Sequence, residues 1–98
     1  MYFREPYVRP ILDDAKRSTF RDRPPAAKVG ETFSACTRRR GAFAQLKVTA
    51  VEEVYVDQIT DEMAYVNGFP DAEHQREQLA KTYPGTERVF RVSFERVT

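Results

Sequence analysis

Arg88-Val89-Phe90-Arg91-Val92-Ser93-Phe94-Glu95-Arg96-Val97 alternates apolar and polar side chains. Phe90, Val92 and Phe94 fall on one face and Arg91, Ser93 and Glu95 on the other, the period of two expected of a strand with one face in a core. Such a strand needs partners, and the sequence upstream supplies them. Ala42 to Val56 is rich in β-branched residues, and Leu46, Val48 and Ala50 alternate with Gln45, Lys47 and Thr49. Thr37-Arg38-Arg39-Arg40-Gly41 reads as a hairpin tip, with Gly41 free to take a positive φ, and Thr32 to Cys36 reads as the strand before it. Lys28-Val29-Gly30-Glu31 supplies the preceding turn, and Ser18 to Arg21 a further short strand that stops at Pro24-Pro25.

Helical signals occupy the gaps. Tyr7 to Asp14 groups Ile11 and Leu12 with Tyr7 and Val8 at helical spacing, and Pro10 is tolerated there only in the first turn. Thr60 ahead of Asp61 and Glu62 starts a second helix, which ends at Asn67-Gly68. Pro70-Asp71 opens a third, running to about Thr82, and Tyr83-Pro84-Gly85 breaks it. The order is helix, two or three antiparallel strands, helical insertion, closing strand. It predicts an α+β fold, a small mixed barrel.

Composition narrows the functional classes. Ninety-eight residues make one domain. At 41% hydrophobic and 12% aromatic the chain is too apolar to stay disordered, yet it has no apolar run long enough to cross a bilayer. Met1-Tyr2-Phe3-Arg4-Glu5-Pro6 lacks the apolar core of a secretion signal, and a reducing cytoplasm is the expected compartment. Cys36 and His74 are the only residues of their kinds, which excludes an internal disulfide and the usual Cys/His zinc sites. No metal, cofactor or membrane partner is expected.

The formal net charge of +1 hides an asymmetry. Residues 1–49 hold eleven Lys/Arg against five Asp/Glu, and residues 50–98 hold five against ten. A basic half of this kind suits an anionic partner such as nucleic acid. The acids Glu52, Glu53, Asp57, Asp61 and Glu62 read as a solvated face of the insertion.

Ile11 to Asp22 (ILDDAKRSTFRD) gathers a helix end, a lysine, a threonine and an arginine into one turn-to-strand passage. This passage resembles the signature of the ASCH domain family, a PUA-like β-barrel family whose first helix runs into a pattern of Gly, Lys, Thr and Arg. Lys28-Val29-Gly30-Glu31 is similar to the family's turn before a strand, and Tyr83-Pro84-Gly85 with Val89 to Phe94 to its Tyr-Pro and final strand. The resemblance spans about Phe3 to Val97 and implies an α+β fold, a small PUA-like β-barrel of about five to six mostly antiparallel strands with two to three short helices. It implies binding of RNA or a modified nucleoside in a cleft beside the first helix. A compact bacterial branch removes the acetyl group of 4-acetylcytidine with a Lys, a Thr three residues later and a Glu from the insertion. By position the resemblance puts the lysine at Lys16, the threonine at Thr19 and the substrate-facing arginine at Arg21. The Glu is replaced by Asn67, and the glycine before the lysine by Asp14-Ala15.

Two functions follow as expectations. One is an RNA- or nucleoside-binding domain with a basic cleft, in which Arg17, Arg21, Arg23, Arg38, Arg39 and Arg40 contact phosphates and Tyr65 and Phe69 stack on bases. The other is a metal-independent amidohydrolase with Thr19 as nucleophile, Lys16 as base and Asn67 orienting the substrate. Ribonuclease activity of the same basic cluster is a weaker third. Asn67 cannot exchange a proton, so Glu62, a turn or so earlier, is the nearest substitute acid. Ordinary readings exist too: Lys16 and Arg17 suit the negative end of a helix, and Arg38 to Arg40 a solvated tip. The chain is expected to be a monomer or weak dimer, with Arg88, Arg91, Glu95 and Arg96 guarding the closing strand if it forms an edge.

Overall fold

The computed structural model describes residues 1–97. Among these, β1 (Ser18–Arg21), β2 (Thr32–Thr37), β3 (Gly41–Tyr55) and β4 (Arg88–Arg96) form one antiparallel sheet in the order β1-β4-β3-β2. A 3-10 turn (Glu5–Tyr7) leads into α1 (Val8–Leu12), and α2 (Asp61–Val66) and α3 (Ala72–Thr82) lie between β3 and β4. The caps are those the sequence signals: Thr60 Oγ1 accepts from the Met63 N–H and Asp71 Oδ1 from the His74 N–H. No described helix is long and apolar enough to cross a membrane.

The α+β class stands, with four strands among the described residues rather than five or six. Ala42 to Val56 does not divide. β3 runs 15 residues, pairs with β2 from Gly41 to Lys47 and with β4 from Leu46 to Tyr55, and so serves each neighbour with a different half. The closing strand is interior, between β1 and β3, and its charged residues guard no edge. Met1 to Phe3 lies along the outer side of β2, where the Phe3 N–H donates to Cys36 O at 2.8 Å and the Cys36 N–H to Met1 O at 2.9 Å. Arg21, on the opposite edge strand, donates to Tyr2 O at 2.9 Å. One short segment reaches both edges, which requires the sheet to curl.

A bulge decides what each face buries. Val48 pairs with Phe94 and Ala50 with Ser93, so Thr49 is one residue more than β4 can match. An inserted residue sends everything beyond it to the other face. Ala44, Leu46 and Val48 are buried before the bulge, on the face of Phe94; Val54, beyond it, lies opposite Val89. β4 therefore buries Val92 and Phe94 on one face and Val89 on the other, while Phe90, expected in the core, is half-buried. Two clusters result. Phe3, Ile11, Ala35, Ala44, Leu46 and Phe94 pack under the N-terminal segment and α1, and Phe20, Val54, Ile59, Ala72, Leu79 and Val89 under α2 and α3.

The passage from α1 to β1 turns through Asp14, whose φ is 59°. A short polar side chain such as that of Asp14 tolerates this left-handed conformation, and a β-branched one does not. Asp14→Val should be about 1 kcal/mol less stable than Asp14→Gly in urea unfolding. Both substitutions remove the Asp14–Arg96 ion pair equally. Equal stabilities would contradict the left-handed turn.

Candidate functional site

Three backbone hydrogen bonds pin the residues before β1. The Lys16 N–H donates to Pro10 O at 3.0 Å, the Arg17 N–H to Val66 O at 2.9 Å, and Arg17 O accepts from the Phe94 N–H at 3.0 Å. The passage is thus tied to α1, to the end of α2 and to β4 within two residues. Lys16 points inward and is 3% exposed. Its Nζ donates to Asn67 O at 3.1 Å and to Asn67 Oδ1, and lies 4.6 Å from the centroid of the Tyr7 ring. Asn67 caps the end of α2, and Gly68 follows at φ +89°. A Cβ on Gly68 would meet Lys16 Cβ at an ordinary 3.7 Å, so the backbone conformation, not lack of room, calls for glycine there.

Asn67 is itself held. Its Nδ2 donates to Gln75 Oε1, Gln75 Nε2 donates to Gln78 Oε1 at 3.0 Å, and Gln78 Nε2 donates to Thr82 Oγ1 at 2.7 Å. Gln75 is fully buried, and this chain supplies partners for both ends of its amide.

Lys16 and Asn67 form part of the wall of a cavity of about 120 Å³, together with Thr19 and Arg21 of β1. Tyr2, Phe3, Tyr7, Phe20, Phe69 and Tyr83 supply aromatic surface, and Arg4, Gln78 and Thr82 complete the polar lining. Alternation along β1 sends Thr19 and Arg21 to the same side, where Thr19 is 6% exposed. Arg21 stacks over Phe3, its carbon 5.1 Å from the ring centroid, while its Nε is buried without a hydrogen-bond partner. Burial, which strips water from the ammonium, and the Arg21 guanidinium together push the Lys16 pKa down from 10.5 to about 7. Near neutrality the amine and ammonium forms coexist. The lining contains no carboxylate, and Glu62 is exposed on α2 away from it.

The remaining candidates fall around this cavity. Arg17 and Tyr65 line a neighbouring groove with Asp14, Gly68, Phe69 and Pro70, and Phe69 is shared by groove and cavity. Arg38 and Arg39 line a second groove, which shares Tyr2, Phe3 and Arg4 with the cavity. Arg40 is engaged by the Glu5 carboxylate, and Arg23 is exposed outside both grooves. The sequence reading missed Tyr2, Phe3, Arg4, Tyr7, Phe20, Gln78, Thr82 and Tyr83 on the wall and Gln75 behind it. The available signal was Gln75, Gln78 and Thr82, spaced i, i+3 and i+7 on the helix face that also carries Leu79.

A small curled antiparallel sheet, with one helix leading into its first edge strand and a helical insertion before its last, is the architecture of the ASCH domain. The chain is similar to the ASCH domain from Lactobacillus crispatus JV V101 (14% identity, TM-score 0.72, covering 92% of this chain and 69% of that one) and to ASCH from Zymomonas mobilis (14%, 0.78, 98% and 67%). It is also similar to the hypothetical protein PH0355 (16%, 0.76, 99% and 96%). It spans about two thirds of the first two and nearly all of the third. No family model and no curated protein sequence matches the chain. At these identities the likeness establishes the fold.

Lys16 also ties stability to pH. Folding holds its pKa near 7 against 10.5 in the open chain, so between these values the unfolded state binds the extra proton and stability rises with pH. Lys16→Met removes that dependence. The stability of Lys16→Met relative to the parent should therefore grow as pH falls from 10 to 7, by up to roughly 1.4 kcal/mol per pH unit. A difference independent of pH would show that Lys16 keeps an ordinary pKa.

Proposed function

We propose that the protein binds one base of an RNA or of a free nucleoside in the cavity beside Lys16, with the sugar and phosphates outside. The observation that carries this reading is the combination of size and lining. An apolar cavity of about 150 Å³ holds a benzene ring. A space of about 120 Å³ walled by six aromatic residues and the cations of Lys16, Arg4 and Arg21 therefore suits a single planar heterocycle and excludes a whole nucleotide. Arg17 with Tyr65, and Arg38 with Arg39, line the grooves on either side, which supports a reading in which phosphates and flanking bases run along them.

Fluorescence anisotropy with a labelled single-stranded RNA tests this. Log affinity should fall linearly with log salt at roughly −0.7 per contacted phosphate. Tyr65 is 70% exposed, so Tyr65→Ala should spare the fold and cost about 1–3 kcal/mol of RNA binding. No binding at low salt, or binding indifferent to salt, would contradict a polynucleotide ligand.

A second reading, hydrolysis of an acylated base such as 4-acetylcytidine, is favoured by one observation: the lowered Lys16 pKa in the cavity that Thr19 also lines. In this reading the neutral Lys16 amine takes the Thr19 proton as Oγ1 attacks the acyl carbon. The ammonium so formed returns the proton to the departing amine, and water then cleaves the acyl-threonine. Asn67 holds Lys16 and carries no proton. Acetate release, followed by chromatography, should rise with pH about a midpoint near 7 and vanish in Lys16→Met. No release from the parent protein removes this reading and leaves the binding one.

A further inference from the structure

The hydrogen bonds behind the cavity all run in one direction. Lys16 in its charged form has only protons to give, so Asn67 must turn its Oδ1 toward it. That choice leaves Asn67 Nδ2 to donate to Gln75, forces Gln75 to donate to Gln78, and forces Gln78 to donate to Thr82. Neutral Lys16 still has two N–H protons for its two Asn67 acceptors. The direction therefore holds in both forms. Each side-chain amide oxygen on the wall, of Asn67 and of Gln78, already accepts a hydrogen bond from inside the protein. Arg21, meanwhile, brings a buried Nε–H that no described residue accepts.

We infer that the cavity selects rings whose edge opposite the sugar accepts hydrogen bonds, and excludes rings carrying an amine there, with Gln75 as the positioning residue that keeps the wall a donor surface. This deepens the base-binding reading and rests on it. With the sugar outside, position 4 of a pyrimidine lies across the ring from the glycosidic nitrogen, and the group it carries sits deepest. There it faces a lining with no carboxylate, in which both side-chain amide oxygens are already turned to donors within the protein. A carbonyl or bare ring nitrogen finds a donor, whereas an amino group meets other donors and loses its water without replacement. Hydroxyls of Thr19, Tyr7 and Tyr83 can act either way and do not set the preference.

Cytidine and pyrimidin-2-one riboside differ only in the 4-amino group, and their affinities, measured by calorimetry, isolate it. The parent protein should bind the riboside lacking the amine about tenfold or more tightly, the scale of one unsatisfied buried donor. Gln78→Glu retains the bond from Gln75 and adds an uncommitted acceptor to the wall, so it should reverse the order. Gln75→Met cuts the chain at nearly constant volume and should bring the ratio close to one. Loss of stability alone would weaken both ligands together and leave the ratio unchanged. Equal or tighter binding of cytidine by the parent, or a ratio unmoved in both variants, overturns the inference while the base-binding reading survives. Failure of the parent to bind either riboside overturns both.

Discussion

The grip of Asn67 on the Lys16 ammonium joins the two parts of this molecule. Lys16 belongs to the passage that feeds the first edge strand, and Asn67 closes a helix of the insertion, fifty-one residues later in sequence. Burying an amine is costly, and two acceptors from one residue with the face of Tyr7 meet only part of that cost. The residual shows as a lowered affinity for the proton. A methionine there would avoid this cost; the lysine instead puts a proton-exchanging amine at the wall of an aromatic cavity.

The sheet makes that meeting possible. Because β3 shifts register at Thr49, β4 is covered by α1 and the N-terminal segment at one end and by α2 and α3 on the opposite face at the other. The cavity lies where these coverings meet beside β1. Its wall accordingly draws Tyr2 to Tyr7 from one layer and Asn67 to Tyr83 from the other.

Much of this was legible beforehand because the signals were local. Thr60 and Asp71 cap helices through their own side chains, and Gly41 and Gly68 take positive φ where tight turns demand it. Lys16, Thr19 and Arg21 were reached through the resemblance to the ASCH family, and one cavity is lined by all three. The bulge was not legible: nothing in the composition around Thr49 marks it, so Phe90 was expected where Val89 is buried. Nor were the aromatic walls, which come from segments far apart in sequence. Gln75 and Gln78 read as an ordinary polar helix face until Asn67 is known to sit against them. The replacement of an expected Glu by Asn67 looked like a loss; in the structure the amide is the first link of a directed chain that a carboxylate, accepting only, could not start.

The claim on which the rest depends is that Lys16 is a desolvated, partly neutral amine at the base-sized cavity. Nuclear magnetic resonance of selectively labelled lysine side chains, followed from pH 5 to 11, measures this directly. The account predicts one lysine resonance, absent in Lys16→Met, that titrates near 7. A Lys16 resonance titrating near 10.5 would contradict it.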